Sequence, residues 1–345
     1  MSSDQKKKDI TIYDLAEELK ISPSTVSRAL NDHFSIGIDT KEAVRKLANE
    51  KGYRPNGIAS SLRTNKSKII GIIVSWINRP FLSTLIAGVE DAAKDAGYQV
   101  IIAQSHDDVT VEKQNLKALH ALRVSALIVS LAMETNDYSH FEQFRKSGIP
   151  IVFVDRIPKL ENISQVIIDN FGAGYAATKH LLDQGCKRIA HFGGSRFQAL
   201  YEERMLGYIT AIKDAGIEPD PQIIFHANFL NAEEGARMAE AVLAMEKIPD
   251  GIFCANDTAA SSALKTLVQR GVKIPEEIAL IGFNNDPICE FIEPNLSSIN
   301  HPAKEMGQTA VMKVLELLNV DANLGEVKPL ETYVVERASS MRKKL

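Results

Sequence analysis

The sequence is poor in the residues that mark several classes of protein. Its three cysteines, Cys186, Cys254 and Cys289, are scattered and form no metal-ligating or redox spacing. Aromatic residues make up only 6% of the chain, and Trp76 is the only tryptophan. No apolar run reaches the roughly 20 residues of a membrane helix, and the polar, lysine-rich start is unlike a signal peptide. These absences argue against a disulfide-stabilised or membrane-spanning protein and predict a cytoplasmic one.

Signals of catalysis are also scarce. The eight histidines are isolated from one another, and no nucleophile elbow or metal-ligand spacing occurs. The stretch Gly172-Ala173-Gly174 resembles part of a dinucleotide-binding loop, but the third glycine is missing at the proper spacing. A helix N-terminus is the simpler interpretation. The sequence therefore predicts no enzyme, no cofactor and no metal site.

Charge is nearly balanced overall but unevenly distributed. Hydrophobic residues make up 45% and charged residues 24% of the 345, as in soluble globular proteins, and this length suits two or three domains. The formal net charge is −4, yet residues 1–68 hold thirteen Lys and Arg against nine Asp and Glu. The first part is therefore basic and the remainder acidic, which favours contact between the first part and a nucleic-acid backbone.

Short helices are predicted in the basic part. Thr11 and Asp14 have the spacing of a capping box, and Ser22-Pro23 predicts the start of a second helix. A third helix is expected from about Thr40 to Glu50, capped by Asp39 with Glu42 because Gly37 offers no capping side chain. The first two helices, separated by only a short turn, predict a helix-turn-helix. Helical periodicity directs Val26, Ala29, Leu30, Ala43, Val44, Leu47 and Ala48 inward and Ser24, Thr25, Ser27 and Arg28 outward.

From Lys68 onward, apolar strand patterns alternate with helical patterns. The series begins with a strand at Ile69–Val74 and a helix near Phe81–Asp95, and it ends with a strand near Tyr333–Arg337. Such alternation predicts parallel α/β sheets flanked by helices. Ligands of open α/β sheets bind at the carboxyl ends of the strands. The residues expected to line such a site are Trp76, Asn78, Phe81, Asp155, Arg156, Arg204, Phe229, Asn256, Asp257 and Asn284.

Several segments in the first 64 residues resemble one protein family. Tyr13-Asp14-Leu15-Ala16, Thr25–Asn31, Gly52–Asn56 and Leu62-Arg63-Thr64 match, in order and spacing, the head of the LacI/GalR family of bacterial transcription regulators. The resemblance implies that Pro23, Ser24 and Arg28 contact base edges, and that Asn56 to Thr64 form a hinge helix whose Leu62 wedges into the minor groove. The DNA-binding residues implied are Thr11, Tyr13, Ser22, Pro23, Ser24, Thr25, Ser27, Arg28, Asn31, Tyr53, Asn56, Ala59, Leu62 and Arg63.

The remainder resembles the sensor body of the same family, which is similar to periplasmic sugar-binding proteins. Supporting residues include Asp155-Arg156, Ala255-Asn256-Asp257 and Gly282-Phe283, and Arg204 matches the family's ligand-clamping arginine. Asn284 stands where the family usually has aspartate. The expected organisation is a head at 1–55, a hinge helix and linker at 56–67, an N-terminal lobe at 68–169 with 298–321, and a C-terminal lobe at 170–297 with 322–345.

The resemblance implies a homodimeric repressor that binds a near-palindromic operator in the cytoplasm, associated with the bacterial nucleoid. A sugar or sugar derivative between the lobes is the expected effector, and genes of carbohydrate uptake or catabolism are the expected targets. A partner phosphoprotein or a non-sugar metabolite such as a purine remains an alternative to the sugar. A solute-binding protein without DNA function fits the body but not the head.

Overall fold

The computed structural model describes residues 10–53, 67–319 and 330–342. The chain divides into two compact units, Met1–Ser67 and Lys68–Leu345, which we call the head and the body. No helix in these described ranges is long and apolar enough to span a membrane.

Residues 10–53 of the head form three helices, and all three contribute to its core. Leu15, Val26 and Val44 are fully buried or nearly so, together with Ala29 and Leu47. Lys20, with φ of 53°, lies in the short turn between the first two helices, which gives the compact helix-turn-helix that the sequence predicts. The helices are α1 (Ile12–Glu18), α2 (Pro23–Leu30) and α3 (Ile38–Lys51).

The caps of the first two helices follow the sequence prediction, and that of the third does not. Thr11 and Asp14 form the expected capping box of α1, and Ser22 caps α2. Helix α3 begins at Ile38 with Gly37 at the N-cap position and no side-chain cap, so the prediction that Asp39 caps it is wrong. Asp39 lies within the first turn of α3, two residues after the N-cap position.

Two side chains of the head face differently from the prediction. Ser27 is only 7% exposed, although periodicity directs it outward. It lies between Val26 and Ala29 on α2, and its small side chain fits at the margin of the core. Ala43 is exposed, although it is predicted to face inward, because Val44, Leu47 and Ala48 alone occupy the inner stripe of α3.

The body is built around two sheets with helices packed against them, as the sequence predicts. The strands in the described residues are β1 (Ile69–Val74), β2 (Gln99–Gln104), β3 (Ala126–Val129), β4 (Ile151–Val154), β5 (Ser164–Val166), β6 (Ile189–Gly193), β7 (Ile224–His226), β8 (Gly251–Cys254), β9 (Ala279–Asn284), β10 (Ser297–Asn300) and β11 (Tyr333–Val335). Of these strands, five form a parallel first sheet in the order β2-β1-β3-β4-β5, and six form the second in the order β11-β10-β9-β8-β6-β7. Among the described strands of the second sheet, only the β10–β11 pair is antiparallel.

Helices pair across the faces of each sheet. In the described residues of the body these helices are α4 (Pro80–Asp95), α5 (Val109–Ala121), α6 (Glu142–Lys146), α7 (Asn170–Asp183), α8 (Ala199–Asp214), α9 (Ala232–Leu243), α10 (Asp257–Gln269), α11 (Ile288–Phe291) and α12 (Ala303–Leu317), with short 3₁₀ turns at Ser139–Phe141 and Pro221–Ile223. The most extensive helix–helix contacts are those of α4 with α12, α7 with α8, and α9 with α10.

Glycines allow two of these helix pairs to approach closely. A Cβ atom on Gly174 of α7 would lie 2.3 Å from the backbone oxygen of Arg204 on α8, and one on Gly207 would lie 2.2 Å from that of Phe171. Gly88 and Gly307 play the same part between α4 and α12. The stretch Gly172–Gly174 therefore lies in the first turns of a packed helix, in agreement with the simpler of the two sequence interpretations.

The crossing between lobes near residue 297 lies later than the sequence predicts. Strand β10 pairs with β9 and β11 of the second sheet, whereas α12, which follows it, packs on α4 and the first sheet. The chain therefore crosses at His301-Pro302, and the assignment of residues 298–300 to the N-terminal lobe is wrong. The pattern of β10 is short and polar, which hides it in the sequence. The last predicted boundary between the lobes, between residues 321 and 322, lies outside the described residues.

Candidate functional site

The N-terminal end of α2 presents a cluster of hydroxyl groups to solvent. The Ser22 Oγ accepts a hydrogen bond from the Thr25 backbone N–H at 3.1 Å, and it lies 2.7 Å from the Ser24 Oγ and 2.8 Å from the Thr25 Oγ1. A helix N-terminus attracts anions because its first N–H groups lack intrahelical partners. Arg28 is exposed one turn further along. This end of α2 can therefore bind phosphate oxygens and base edges.

The other head residues that the sequence singles out differ in exposure and in their hydrogen-bond partners. Tyr13 is exposed, whereas Tyr53 packs against the head core. The Thr11 hydroxyl donates to the Asp14 carboxylate at 2.6 Å, and the Asn31 amide donates to the Ser27 carbonyl at 2.9 Å, so both side chains are already used in helix caps. Four further predicted contacts lie outside the described residues: Asn56, Ala59, Leu62 and Arg63.

The body contains a cavity of about 360 Å³ whose walls come from both lobes. Eight of the ten side chains that the sequence assigns to a ligand site line it, and most of them follow the carboxyl ends of strands. These eight are Trp76, Asn78, Phe81, Asp155, Arg156, Arg204, Asn256 and Asn284. The lining residues that the sequence did not indicate are Arg79, Pro80, Leu82, Leu200, Tyr201, Leu230, Asn231, Thr258 and Asp286.

Two predicted ligand contacts lie outside the cavity lining. Phe229 is 38% exposed at the surface, one residue before Leu230, which does reach the cavity. Asp257 is fully buried behind the wall, where its carboxylate accepts hydrogen bonds from the Asp286 backbone N–H at 2.8 Å and the Ser298 hydroxyl at 2.7 Å. Asp257 therefore holds the loop after β9 in place instead of facing a ligand.

Arg204 is held rigidly at the cavity wall. It is 3% exposed, its Nε donates to the Asn170 side-chain oxygen at 2.9 Å, and its Nη1 donates to the Ala255 carbonyl at 2.9 Å. Its guanidinium also lies 3.5 Å from the centroid of the Phe283 ring. Burial lowers the pKa of Arg204 to about 10, so it remains charged at neutral pH. The hydrogen-bond partners of this cation are neutral, so it forms no direct ion pair and is available to a polar ligand.

A second charged group, Arg156, is neutralised within the protein. Its Nη1 donates to the buried carboxylate of Asp107, which also accepts a hydrogen bond from the Trp76 indole at 3.1 Å. Arg79 approaches the same carboxylate at 3.8 Å. Trp76 is thus fixed by Asp107 and by edge contact with His106 at 4.7 Å between ring centroids, and it presents a rigid apolar surface to the cavity.

Several loops at the cavity have left-handed backbone. Asp155 directly after β4 has φ of 59°, Asn284 and Asn285 at the end of β9 have 116° and 56°, and His106 and Asp107 after β2 have 56° and 60°. Non-glycine residues rarely adopt these angles, and such strain clusters at functional sites. The same turns redirect the chain at the strand ends and place Asp155 and Asn284 at the cavity.

The two lobes are joined across the cavity by specific contacts. The Gln198 amide donates to the Met133 carbonyl at 2.7 Å, which links the loop before α8 to the loop after β3. His301, at the crossing after β10, stacks on Phe81 of α4 at 4.2 Å between centroids and lies 3.3 Å from the Asn284 side-chain oxygen. Ligand contact with either wall can therefore affect how the lobes pack.

Asn256 illustrates why position alone does not establish ligand contact. It lines the cavity, but its Oδ1 accepts from the Ala259 backbone N–H at 2.8 Å and its Nδ2 donates to the Leu230 carbonyl at 2.7 Å. Its amide thus caps α10 and fixes a loop.

Within the described ranges, no group of three or more His, Cys, Asp or Glu side chains is arranged to hold a metal ion.

Comparison with known families matches both units. Residues 11–56 match the family described as bacterial regulatory proteins, lacI family. Residues 178–340 match the periplasmic binding protein-like domain.

Individual relatives match over nearly the whole chain. The NTD biosynthesis operon regulator NtdR of Bacillus subtilis is 31% identical over 331 residues, covering 96% of this chain and 99% of that protein. The ribose operon repressor of Halalkalibacterium halodurans is 30% identical, with coverage of 94% and 93%. The solved complex of the transcriptional regulator CelR with cellobiose is 27% identical with a TM-score of 0.70, covering 96% of this chain and 99% of that one.

Proposed function

This chain belongs to the lacI family of bacterial regulatory proteins and is a DNA-binding transcription regulator, and we propose that it acts as a dimeric repressor released or engaged by a sugar-like effector. It would bind a near-palindromic operator in the bacterial cytoplasm, since two copies of one head require two half-sites. The expected targets are genes of carbohydrate uptake or catabolism.

The DNA-binding part of the proposal depends on the exposed end of α2. Ser24 and Arg28 would contact base edges, with Pro23 beside them, while the hydroxyls of Ser22 and Thr25 would contact phosphates. Ser27 is buried at the margin of the head core and is therefore not assigned to a DNA contact. The hinge role of Leu62 stays a prediction from the resemblance.

The effector part depends on one observation, the position of Arg204. This cation is fixed from behind by Asn170 and Ala255 and lines a cavity with aromatic and amide groups around it. Apolar faces with a few well-placed donors and acceptors suit a polyhydroxylated ligand. The cellobiose bound by the related CelR supports a sugar as the ligand class.

The proposed mechanism is a shift between two arrangements of the lobes. An effector that contacts both walls of the cavity binds one arrangement more tightly and shifts the population towards it by that difference in affinity. The contacts of Gln198 with Met133 and of His301 with Phe81 join the lobes in the present arrangement. In the proposed mechanism a second arrangement would change these contacts and thereby the affinity for the operator.

Two variants separate the two functions. Duplexes selected from a random library by the purified protein provide the DNA probe, and a thermal-shift panel of sugars, sugar phosphates, uronic acids and nucleobases provides the effector. Arg28→Ala is expected to weaken binding to the selected duplex while the thermal shift by the effector persists. Arg204→Ala is expected to retain DNA binding and to lose the thermal shift. A normal effector response in Arg204→Ala removes Arg204 from the site, and no shift by any compound favours a partner phosphoprotein over a sugar.

A further inference from the structure

The loop after β9 places a carboxyl group at the cavity two residues beyond the expected position. Asn284 ends the strand with φ of 116°, and Asn285 follows with φ of 56°. The Asn285 side chain is turned away to contact Arg337 at 2.8 Å and Asn300 at 3.3 Å. The Asp286 backbone N–H donates to Asp257, so the loop is held with Asp286 lining the cavity.

The carboxyl group of Asp286 is buried without a protein cation. Its residue is 6% exposed, and within the described ranges no Lys, Arg or His nitrogen lies within 4.0 Å of it. The three arginines of the cavity have other partners, since Arg156 and Arg79 approach Asp107 and Arg204 is held by Asn170 and Ala255. Asp155, across the cavity, likewise forms no ion pair in the described residues.

Such a group is costly to keep charged. Burial and then the charge of Asp257 raise the pKa of Asp286 to about 7, opposed by a hydrogen bond with Asn284. Burial also raises the pKa of Asp155, although Arg156, Arg204 and Arg79 oppose it. A buried charge is stable only when it is paired, so a ligand that brings positive charge to Asp286 supplies what the protein lacks.

We propose that Asp286 determines effector specificity, by favouring a polyhydroxylated ligand that carries an ammonium group over matched neutral and anionic ligands. The inference rests on the proposed function of the cavity. A phosphate or carboxylate bound in the cavity would be repelled by Asp286 and Asp155, which both line it, and unpaired like charges are a means of rejecting the wrong ligand.

The test uses three matched series of hexoses, those of D-glucose, D-galactose and D-mannose, each as the neutral sugar, the 2-amino sugar and the uronic acid. Affinities are measured by calorimetry at pH 7 for the full-length protein. In whichever series binds the protein, we expect the amino sugar to bind at least tenfold more tightly than its neutral counterpart. Asp286→Asn is expected to abolish this preference, and Asp286→Glu, which keeps the charge, to retain part of it.

Glu276→Gln is the matched control, because it removes one negative charge from an exposed position in the same lobe. It is expected to keep the preference, and a melting profile of each variant checks that it is folded. The inference is overturned if the neutral sugar or uronic acid binds as well as the amino sugar, or if the preference survives in Asp286→Asn. The proposed function stands even in that case if neutral sugars bind the wild type and fail to bind Arg204→Ala. Binding of no compound in any series overturns both.

Discussion

Replacement of Asp286 by asparagine is expected to stabilise the body at pH 8 and to change its stability little at pH 4. Asparagine has nearly the size and polarity of a protonated carboxyl group. Burial and the Asp257 charge raise the pKa of Asp286 from 3.8 to about 7 in the folded protein. A raised pKa means that the folded state binds the proton more tightly, so its stabilising contribution is present below pH 4 and is lost as the pH rises through 7.

The size of the effect follows from this difference. The folded and unfolded values, about 7 and 3.8, differ by about three pH units. Each unit corresponds to about 1.4 kcal/mol, so above pH 7 the gain in the free energy of unfolding from Asp286→Asn is at most about 4 kcal/mol. Denatured-state structure and relaxation around Asp257 reduce it, so we expect about 2 to 3 kcal/mol. At about 2 to 4 °C per kcal/mol for a domain of 150–250 residues, the melting temperature rises by roughly 4 to 12 °C.

The assay is thermal unfolding, followed by circular dichroism, of the wild type and the variant at intervals from pH 4 to pH 8. The difference in melting temperature should grow across pH 4 to 7 and then level off. Glu276→Gln, at an exposed site, is expected to show no such growth. An equal change at pH 4 and pH 8, or a loss of stability at pH 8, would refute the argument that Asp286 is a buried, unpaired acid.

Three further predictions test other parts of the molecule. Gly174→Ala places a Cβ 2.3 Å from the Arg204 backbone oxygen. Overpacking of about 1 to 3 kcal/mol outweighs the gain of about 1 kcal/mol in helix propensity, so we expect a lower melting temperature and a weaker effector affinity. An unchanged affinity would show that this helix contact does not position Arg204. Gly37→Ser adds the side-chain cap that α3 lacks, in open space, and is expected to stabilise the isolated head by about 0.5 to 1 kcal/mol in urea unfolding; loss of stability would contradict the cap geometry. Leu62→Ala is expected to reduce affinity for the selected duplex more than for random DNA, and an equal reduction for both would exclude the wedge.

Much of the secondary structure was predictable because it depends on contacts near in sequence. The capping box at Thr11 and Asp14 and the cap at Ser22 need only three-residue spacing. Strands such as β1 and β8 are buried apolar runs, which both faces of a covered parallel sheet require. The elements that escaped prediction, β5 and β10, have only three and four residues with polar members, so their pairing partners and not their own patterns define them.

The cavity could be predicted in outline for a similar reason. Parallel strands bring their carboxyl ends to one edge, so residues that follow apolar runs are natural candidates, and Asp155 and Asn284 were found in this way. Arg204 lies within α8 and was singled out by the family resemblance. Asp107 and Asp286 were not, because each follows its strand by two or three residues through left-handed backbone that only the folded loops reveal.

By itself, the sequence determined the helix-turn-helix, the alternation of strands and helices, and the residues that gather at the strand ends, since these follow from local periodicity and chain direction. Only the tertiary structure decided how each candidate side chain is used. Asn256 and Asp257 adjoin in sequence after β8, yet one caps a helix at the cavity wall and the other is buried behind it. Hydrogen-bond partners distant in sequence make that distinction, such as Leu230 for Asn256 and Ser298 for Asp257, and only folding brings them together.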